Sequence, residues 1–534
     1  MVQRIRRLLE TRAMFLCLAP LFFIYSGYNE LFGFLPVTFV LWQYLVVQGF
    51  ALLLYIFIRR FVQAPKPAAI CTLLLVAPLL MFGFLHDLLK SSGVPRFFGS
   101  YTFILPILGI LFIASIYWFR HYNSVGWRDH YFYFNLLLLA LMISEIPNSI
   151  RRYQLDQSVH NLIDFRFTTQ QEYQQKKRDP AGNRPDIFFL VFDAMASSES
   201  LLETMGRDNR QLDTFLHRQG FRVIPHSAAN YNWTIHSIST TLNMQYLPDY
   251  IVPVMNDLKV YFWGSASFLD NSLIKILQQE GYRTHQFQPI SFNNPDWPHP
   301  TFFGDLKSQH FYFKTLPGRV YRDIFWNYTR VNNRWVKQLQ AHLINRRYNA
   351  RKTELERTLQ KIKQSCIDTT QPKFVYGHFM LPHDPYSFDA EGNIKTVTPQ
   401  SLPKESKTEE PELYFEQVTY ANRIIEELVK YIQAKNKTET VIIVAGDHGY
   451  KYYEKEQSHY NFRNLSAIYF PDGDYATLYD SLTPVNTFRL VLNKYLGANL
   501  PLLTDSSIYV SEKREAIHPS KKIRPAGTPS APAR

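Results

Sequence analysis

The stretch Val441–Gly449, VIIVAGDHG, decides how the rest of this chain is read. Val441, Ile442, Ile443 and Val444 form a β-branched run of the kind buried on both faces of a parallel sheet. The run passes through Ala445 and Gly446 into Asp447, His448 and Gly449. The carboxyl ends of strands in an open α/β sheet are where ligands bind. A carboxylate beside an imidazole at such an end offers the oxygen and nitrogen donors that suit a divalent metal. The same residues also read as a plain turn, with Asp capping the next element and Gly supplying a positive φ. The dipeptide alone leaves both readings open.

A second stretch repeats the pattern. Ile187–Phe192, IFFLVF, is another fully apolar run, and it ends in Asp193. After it, Ser197–Ser200 suits a helix start. Amphipathic and apolar segments then alternate: Asp270–Glu280, Thr284–Gln288, Phe374–Met380 and Glu412–Ile432, the last leading into Val441. That alternation predicts an α/β domain with a mostly parallel central sheet. Asn230–Tyr246, NYNWTIHSISTTLNMQY, carries a helix over Ile235–Leu242 with Thr234 at or near its start. A hydroxyl there sits among free backbone N–H groups at the positive end of the helix dipole, where an anionic phosphate or sulfate group is welcomed. Thr234 as a simple N-cap, or Asn232-Trp233-Thr234 as an exposed glycosylation sequon, are the competing readings.

The apolar runs of the chain are unevenly placed. Ahead of residue 150 lie five segments long enough to span a bilayer, roughly Ala13–Leu31, Phe34–Ile58, Ala68–Leu89, Phe98–Phe119 and Tyr131–Ile150. The first lacks a small-residue cleavage site and is followed at once by another span, so it does not read as a cleavable signal. Arg4, Arg6, Arg7 and Arg12 precede the first span, Arg59, Arg60 and Lys66 follow the second, and Arg120 and Arg128 follow the fourth. The positive-inside rule therefore puts the N-terminus in the cytoplasm and the large domain on the opposite side. Glu145, near the outer end of the fifth span, reads as a snorkelling or headgroup-facing side chain. The net charge of +13 accompanies these apolar flanks and no nucleic-acid motif, which excludes a nucleic-acid partner. Cys17, Cys71 and Cys366 exclude a disulfide framework.

The expected organisation is a five-span transmembrane domain over 1–150, an interfacial linker over 151–185, a catalytic domain over 186–510 and a disordered tail over 511–534. Asn294–Arg351 is aromatic and basic without a clear period and reads as an insertion near the active site or the bilayer surface.

Four landmarks, taken in order, carry a family resemblance: Asp193 in VFDAMAS, Thr234 and Ser237 in TIHS, His383 in LPHDPY, and Asp447-His448-Gly449. Behind five spans, they resemble the alkaline phosphatase and sulfatase superfamily, and more closely its membrane branch of lipoteichoic acid synthases and lipid A phosphoethanolamine transferases. The resemblance covers about residues 1–510. It implies an α-helical membrane domain followed by a sulfatase-like α/β domain facing away from the cytoplasm of a bacterial-type inner or plasma membrane. It implies one divalent metal, Zn or Mn, held by Asp193, Thr234, Asp447 and His448. Thr234 would also be the nucleophile, and His383 would contact the transferred group or protonate the leaving group.

His459, His236 and Ser237 are implied as substrate-binding residues. His378, within a strand, reads as a packed core histidine. The implied activity is transfer of a phosphoethanolamine- or phosphoglycerol-like group from a phospholipid donor to an envelope glycan or lipid acceptor through a phosphothreonine. A phosphodiesterase or sulfatase-like esterase, and a non-catalytic membrane scaffold, are the alternatives. The sequence departs from the family in three places. No C/S-x-P-x-R pattern surrounds Thr234, Asp193 stands where the transferases often have Glu, and the large domain carries one cysteine.

Overall fold

The computed structural model describes residues 2–30, 35, 37–95, 97–121, 126–154, 165–176, 184–248, 258–288, 310–323, 333–367, 370–402, 410–450, 459–510 and 522–523. The chain divides into two units: Met1–Leu162 with Asp305–Val331, and Ile163–Gly304 with Asn332–Arg534.

The first unit is helical: α1 Val2–Thr11, α2 Phe15–Glu30, α3 Val37–Arg59, α4 Pro65–Leu80, α5 Phe82–Ser91, α6 Tyr101–His121 and α7 Trp127–Gln154. Three of these, α3, α6 and α7, are each long and apolar enough to cross a membrane; counting the bent pairs α1–α2 and α4–α5 as one span each gives up to five. The first pair bends by 93°. Its cause is composition, since α1 carries Arg4, Arg6, Arg7 and Glu10 and the apolar run begins only after it. Asn135, fully buried on α7, serves the backbone groups that the break strands: Phe15 N–H donates to its Oδ1 at 2.7 Å, and its Nδ2 donates to Leu9 O and Arg12 O, both at 2.8 Å. Glu145 does not point outward as expected. Its carboxylate accepts from Ser26 Oγ (3.2 Å) and Asn29 Nδ2 (3.1 Å) on α2, which satisfies it inside the helical unit.

Of the 294–351 insertion, 294–309 and 324–332 lie outside the described residues. His310–Asp323 belongs to the helical unit, where Lys314 pairs with Glu30 (2.6 Å) and Arg319 with Asp87. From Arg334 the chain forms one 32-residue helix to Ser365, although no period was legible there. The reason is that its first turns are apolar on two faces, so the amphipathic signal cancels.

The second unit is built on a six-stranded sheet of order β2-β6-β5-β1-β4-β3. The strands are β1 Asp186–Phe192, β2 Arg222–Val223, β3 Arg283–Phe287, β4 Lys373–Phe379, β5 Thr440–Gly446 and β6 Ser466–Tyr469. β5, β1, β4 and β3 run parallel, and β6 and β2 are antiparallel at one edge. The three central strands are buried along their whole length, which accounts for the apolar runs Ile187–Phe192 and Val441–Ala445 and for the largely apolar Phe374–Phe379.

Side chains alternate between two cores. Ile187, Phe189, Val191, Tyr376, Val441 and Ile443 face the helices Thr234–Asn243, Ser272–Gln279 and Pro484–Leu496. Phe188, Leu190, Phe192, Val375, Ile442 and Val444 face the opposite layer, which includes Glu410–Lys435. In the register, Phe192 stands opposite both Phe379 and Gly446, so β1, β4 and β5 end level. Asp193 and Asp447 follow those ends directly.

Thr169–Lys176, within the expected linker, is a helix whose Tyr173 is buried in the second unit and donates to Glu280 Oε1 at 2.8 Å. In the tail expected to be disordered, Lys522–Ile523 pairs antiparallel with Ser507–Ile508; the rest of 511–534 lies outside the described residues.

Candidate metal centre and nucleophile

The turn after β1 is bound to the turn after β5 through the backbone. Ala194 has φ +64°, a left-handed conformation costly for a residue with a Cβ. It is held there from both sides: its N–H donates to Asp447 Oδ1 at 2.8 Å, and its carbonyl accepts from Tyr414 Oη at 2.8 Å. Non-glycine residues persist in that region only where their surroundings over-determine them, as at binding sites. The glycines of AGDHG have a steric reason. A Cβ on Gly446 would lie 2.2 Å from Met195 O, and one on Gly449 would lie 2.3 Å from Tyr460 O. Gly446 and Gly449 are not at positive φ, so the plain-turn reading of this stretch does not hold.

Asp193, Asp447 and His448 are fully buried and offer ligand atoms that lie within 4.8 Å of one another. His448 Nε2 is 3.4 Å from Asp447 Oδ2 and 3.7 Å from Asp193 Oδ1. Its Nδ1 lies 2.7 Å from Gly449 O, which accepts and so fixes the proton on Nδ1. That leaves Nε2 with its lone pair aimed at the two carboxylates, the tautomer that a metal requires. Among the described residues, Asp193 Oδ1 and Asp447 Oδ2 are buried without a hydrogen-bond partner. Two unpaired carboxylate oxygens in the interior are costly unless a cation meets them. The donor set therefore fits a divalent metal.

Thr234 is the first residue of the helix Thr234–Asn243. Trp233 occupies the cap position and makes no side-chain cap bond. The N-cap reading of Thr234 is thus not what the hydroxyl does. Its Oγ lies 3.4 Å from Asp193 Oδ2 and 3.5 Å from His448 Nε2, at the rim of the carboxylate cluster. The sequon reading also fails, because Asn232 is buried and exchanges hydrogen bonds with the Val510 backbone (2.8 and 3.2 Å). Ser237, one turn on, donates to Asp447 O at 2.5 Å, so it pins the helix that begins with Thr234 to the β5 turn.

His383 approaches from the β4 turn with Nε2 4.0 Å from Asp193 Oδ1 and keeps 21% exposure of its side chain. Its Nδ1 donates to Asp384 O at 2.8 Å, so Nε2 is the nitrogen presented to the site. His378 is buried, as a core histidine would be, yet it is also part of this cluster. Tyr376 Oη donates to its Nδ1 at 2.7 Å, and its Nε2 faces Asp193 Oδ2 at 3.4 Å. Burial alone would raise the Asp193 carboxyl; the imidazoles of His383, His378 and His448 outweigh it and hold the group below the usual carboxylate range.

Two expected substrate contacts do not converge on this point. His236 turns inward, is fully buried with neither ring nitrogen partnered among the described residues, and is pushed down to about 4 by that burial. His459 is exposed, with its ring against Tyr460 (centroids 3.9 Å apart) and no contact to Asp193 among the described residues.

Two supporting residues were not legible in the sequence. Arg351, buried on the long helix, donates to Met380 O, Pro385 O (3.0 Å) and His383 O (3.1 Å), and burial lowers its pKa to about 10. Gln417 donates to Pro382 O (3.0 Å) and His383 O (3.2 Å), and accepts from Ser387 N (3.0 Å) and Phe388 N (3.2 Å). Together they fix the loop that carries His383. Gln417 had a signal, as a polar residue at an inward position of an amphipathic helix. Arg351 had none, since the loop groups it serves are backbone carbonyls, which leave no mark in a sequence.

The family model described as Sulfatase matches residues 185–492. No curated protein matches the chain. Among solved structures, the C-terminal periplasmic domain of EcEptC from Escherichia coli, in complex with Zn, is 13% identical and covers 66% of this chain and 96% of its own, with a TM-score of 0.39. The integral membrane protein lipooligosaccharide phosphoethanolamine transferase A (EptA) from Neisseria meningitidis is 13% identical and covers 92% of this chain and 95% of its own, with a TM-score of 0.35. The C-terminal periplasmic domain of phosphoethanolamine transferase EptC from Campylobacter jejuni is 10% identical and covers 58% and 89%, with a TM-score of 0.31.

Proposed function

This chain belongs to the sulfatase family and is an enzyme of the alkaline phosphatase and sulfatase superfamily; on that premise we propose that it transfers a phosphoethanolamine- or phosphoglycerol-like group from a phospholipid to an envelope glycan or lipid. The observation that carries the reading is the Thr234 hydroxyl, standing at a helix N-terminus 3.4 Å from Asp193 and 3.5 Å from His448. Asp193, Thr234, Asp447 and His448 would hold one divalent cation, Zn or Mn. When bound, that cation lowers the hydroxyl pKa and offsets charge on phosphoryl oxygens.

The chain's own residues account for the rest. Thr234 Oγ, its proton released to water, forms a bond to the donor phosphorus as the bond from phosphorus to the diacylglycerol oxygen breaks. His383 Nε2, facing the site and reachable by solvent, delivers the proton that the leaving oxygen takes up. The backbone N–H groups at the start of the Thr234 helix receive the phosphoryl oxygens. An acceptor hydroxyl then attacks the phosphothreonine and gives up its proton to His383, while the bond from phosphorus to Thr234 Oγ breaks and that oxygen takes a proton back from water. The apolar helices of the first unit support membrane embedding, with the site on the extracytoplasmic side where the lipid donor is at hand.

A phosphodiesterase or other esterase would use water as the acceptor, and the partial exposure of His383 is compatible with that second reading. Headgroup-labelled phospholipid separates the two. Diacylglycerol release that stops at one equivalent per enzyme unless an envelope glycan or lipid is added, with label then appearing on that acceptor, is the result expected. Equal release without any acceptor, with the label free in solution, would make the enzyme a hydrolase.

A further inference from the structure

The 32-residue helix Arg334–Ser365 has one face committed to its own unit. Gln340, Ala341, Tyr348, Arg351 and Leu355 are buried along it, and Ala341 and Tyr348 pack with Val397. The opposite face of the first three turns is unusual. Trp335 is 79% exposed, Leu339 52% and Leu343 44%, at successive i, i+4 positions, so they form one row along the helix. The row ends there: farther along the helix the exposed positions are polar, Lys352, Glu356, Gln360 and Lys361 among them.

Charge changes at the same point. Between Arg334 and Thr353 the sequence contains no Asp or Glu, while Arg346 falls in line with the row one turn past Leu343, and Arg334 and Arg347 flank it. Acidic residues resume at Glu354 and Glu356. An apolar row bordered by cations, with tryptophan in it, is the pattern of a helix lying in a membrane interface. The absence of acidic groups argues against a basic or mixed protein surface as the occupant and favours an anionic one. Continuity points the same way, because the helix begins directly after Asp305–Val331, which groups with the apolar helices.

We infer that the first half of this helix is an interfacial segment that lies on a bilayer surface containing anionic phospholipid. Trp335, Leu339 and Leu343 enter the boundary between headgroups and acyl chains, and Arg346 and Arg347 meet lipid phosphates. The inference rests on membrane embedding of the first unit and not on the transfer chemistry, so its failure leaves the proposed reaction standing.

The test uses the full chain in vesicles of phosphatidylcholine with phosphatidylglycerol. A nitroxide is placed at Leu339→Cys, or at Gln360→Cys as a control, in a chain whose native cysteines are serine. The nitroxide at 339 is expected to collide with oxygen and be shielded several-fold from an aqueous nickel chelate, with the reverse at 360. Phosphatidylcholine alone, or Arg346→Glu with Arg347→Glu, should return 339 to the aqueous pattern. Nickel access at 339 equal to that at 360 overturns the inference. Shielding from both reagents also overturns it, since that marks a protein contact or a second copy. Shielding that is indifferent to lipid charge overturns the anionic assignment. Hydrogen–deuterium exchange of the unmodified chain gives a second reading that needs no cysteine replacement: protection of residues 334–347 in anionic vesicles and its loss in neutral ones.

Discussion

The backbone N–H of Ala194 donates to Asp447 Oδ1 across 2.8 Å, so the residue after one metal-ligand candidate is bound to the side chain of another. This bond separates two jobs of Asp447. Asp447→Asn keeps an acceptor for Ala194 and removes the charge, whereas Asp447→Ala removes both. Asp447→Asn is expected to hold a near-normal metal-free melting temperature while metal content and activity collapse, activity by about a hundredfold or more. Elemental analysis beside thermal unfolding checks this. Full metal occupancy in Asp447→Asn would contradict the assignment.

Thr234 makes no capping bond, so its removal should barely touch stability. Thr234→Ala is expected to shift unfolding free energy by less than about 0.5 kcal/mol, whereas loss of a true N-cap costs about 1 kcal/mol. Thr234→Ser keeps a hydroxyl and should keep measurable turnover. Chemical denaturation together with donor-lipid turnover reads both.

Tyr376 and His378 act on Asp193 from below. Tyr376→Phe leaves His378 Nδ1 without its donor and frees the ring to turn away from Asp193. Metal affinity should fall about 10- to 100-fold, the usual effect of losing a group that orients a ligand. Competition with a chromogenic chelator measures it; unchanged affinity would assign the pair to packing alone.

Arg351 serves three carbonyls of the loop that carries His383. Arg351→Lys cannot span them, because an ammonium lacks the planar fork of a guanidinium. The variant is expected to lose about 2–3 kcal/mol of stability, from buried carbonyls left without donors, and to lose activity beyond what residual folding explains. Thermal unfolding and turnover on the folded fraction give the two numbers.

His236 supplies a pH dependence. Its folded value of about 4 lies below the ordinary histidine value of 6.5. Between those values the unfolded chain takes up a proton that the folded chain refuses, so stability falls as pH drops from 6.5 to 4 and levels off below. His236→Phe should flatten that slope by a few kcal/mol across the window. An unchanged slope would mean that the ring is protonated in the fold or rehydrated on acidification.

The strands that place the site were legible because burial on both faces leaves an unbroken apolar record, as in IFFLVF and VIIVAG. The residues at their tips were legible because short motifs follow the strands directly. What could not be read is the convergence itself: Thr234, Asp193 and His448 are distant in sequence, the parallel register of β1 and β5 brings Asp193 and His448 level, and the helix tied to Asp447 O through Ser237 adds Thr234. His378 is buried, as read, and its approach to Asp193 at 3.4 Å leaves no separate mark in a strand sequence. The long helix from Arg334 was hidden by its second apolar face, and the part Arg351 plays in the loop was hidden because the groups it serves there are backbone carbonyls.

Intact-protein and peptide mass spectrometry, after incubation with a phospholipid donor and no acceptor, tests the central claim most directly. The predicted result is one headgroup-phosphate adduct on the peptide that contains Thr234, absent in Thr234→Ala and discharged by an acceptor. An adduct on another residue, or one that persists in Thr234→Ala, would contradict the assignment of the threonine as nucleophile.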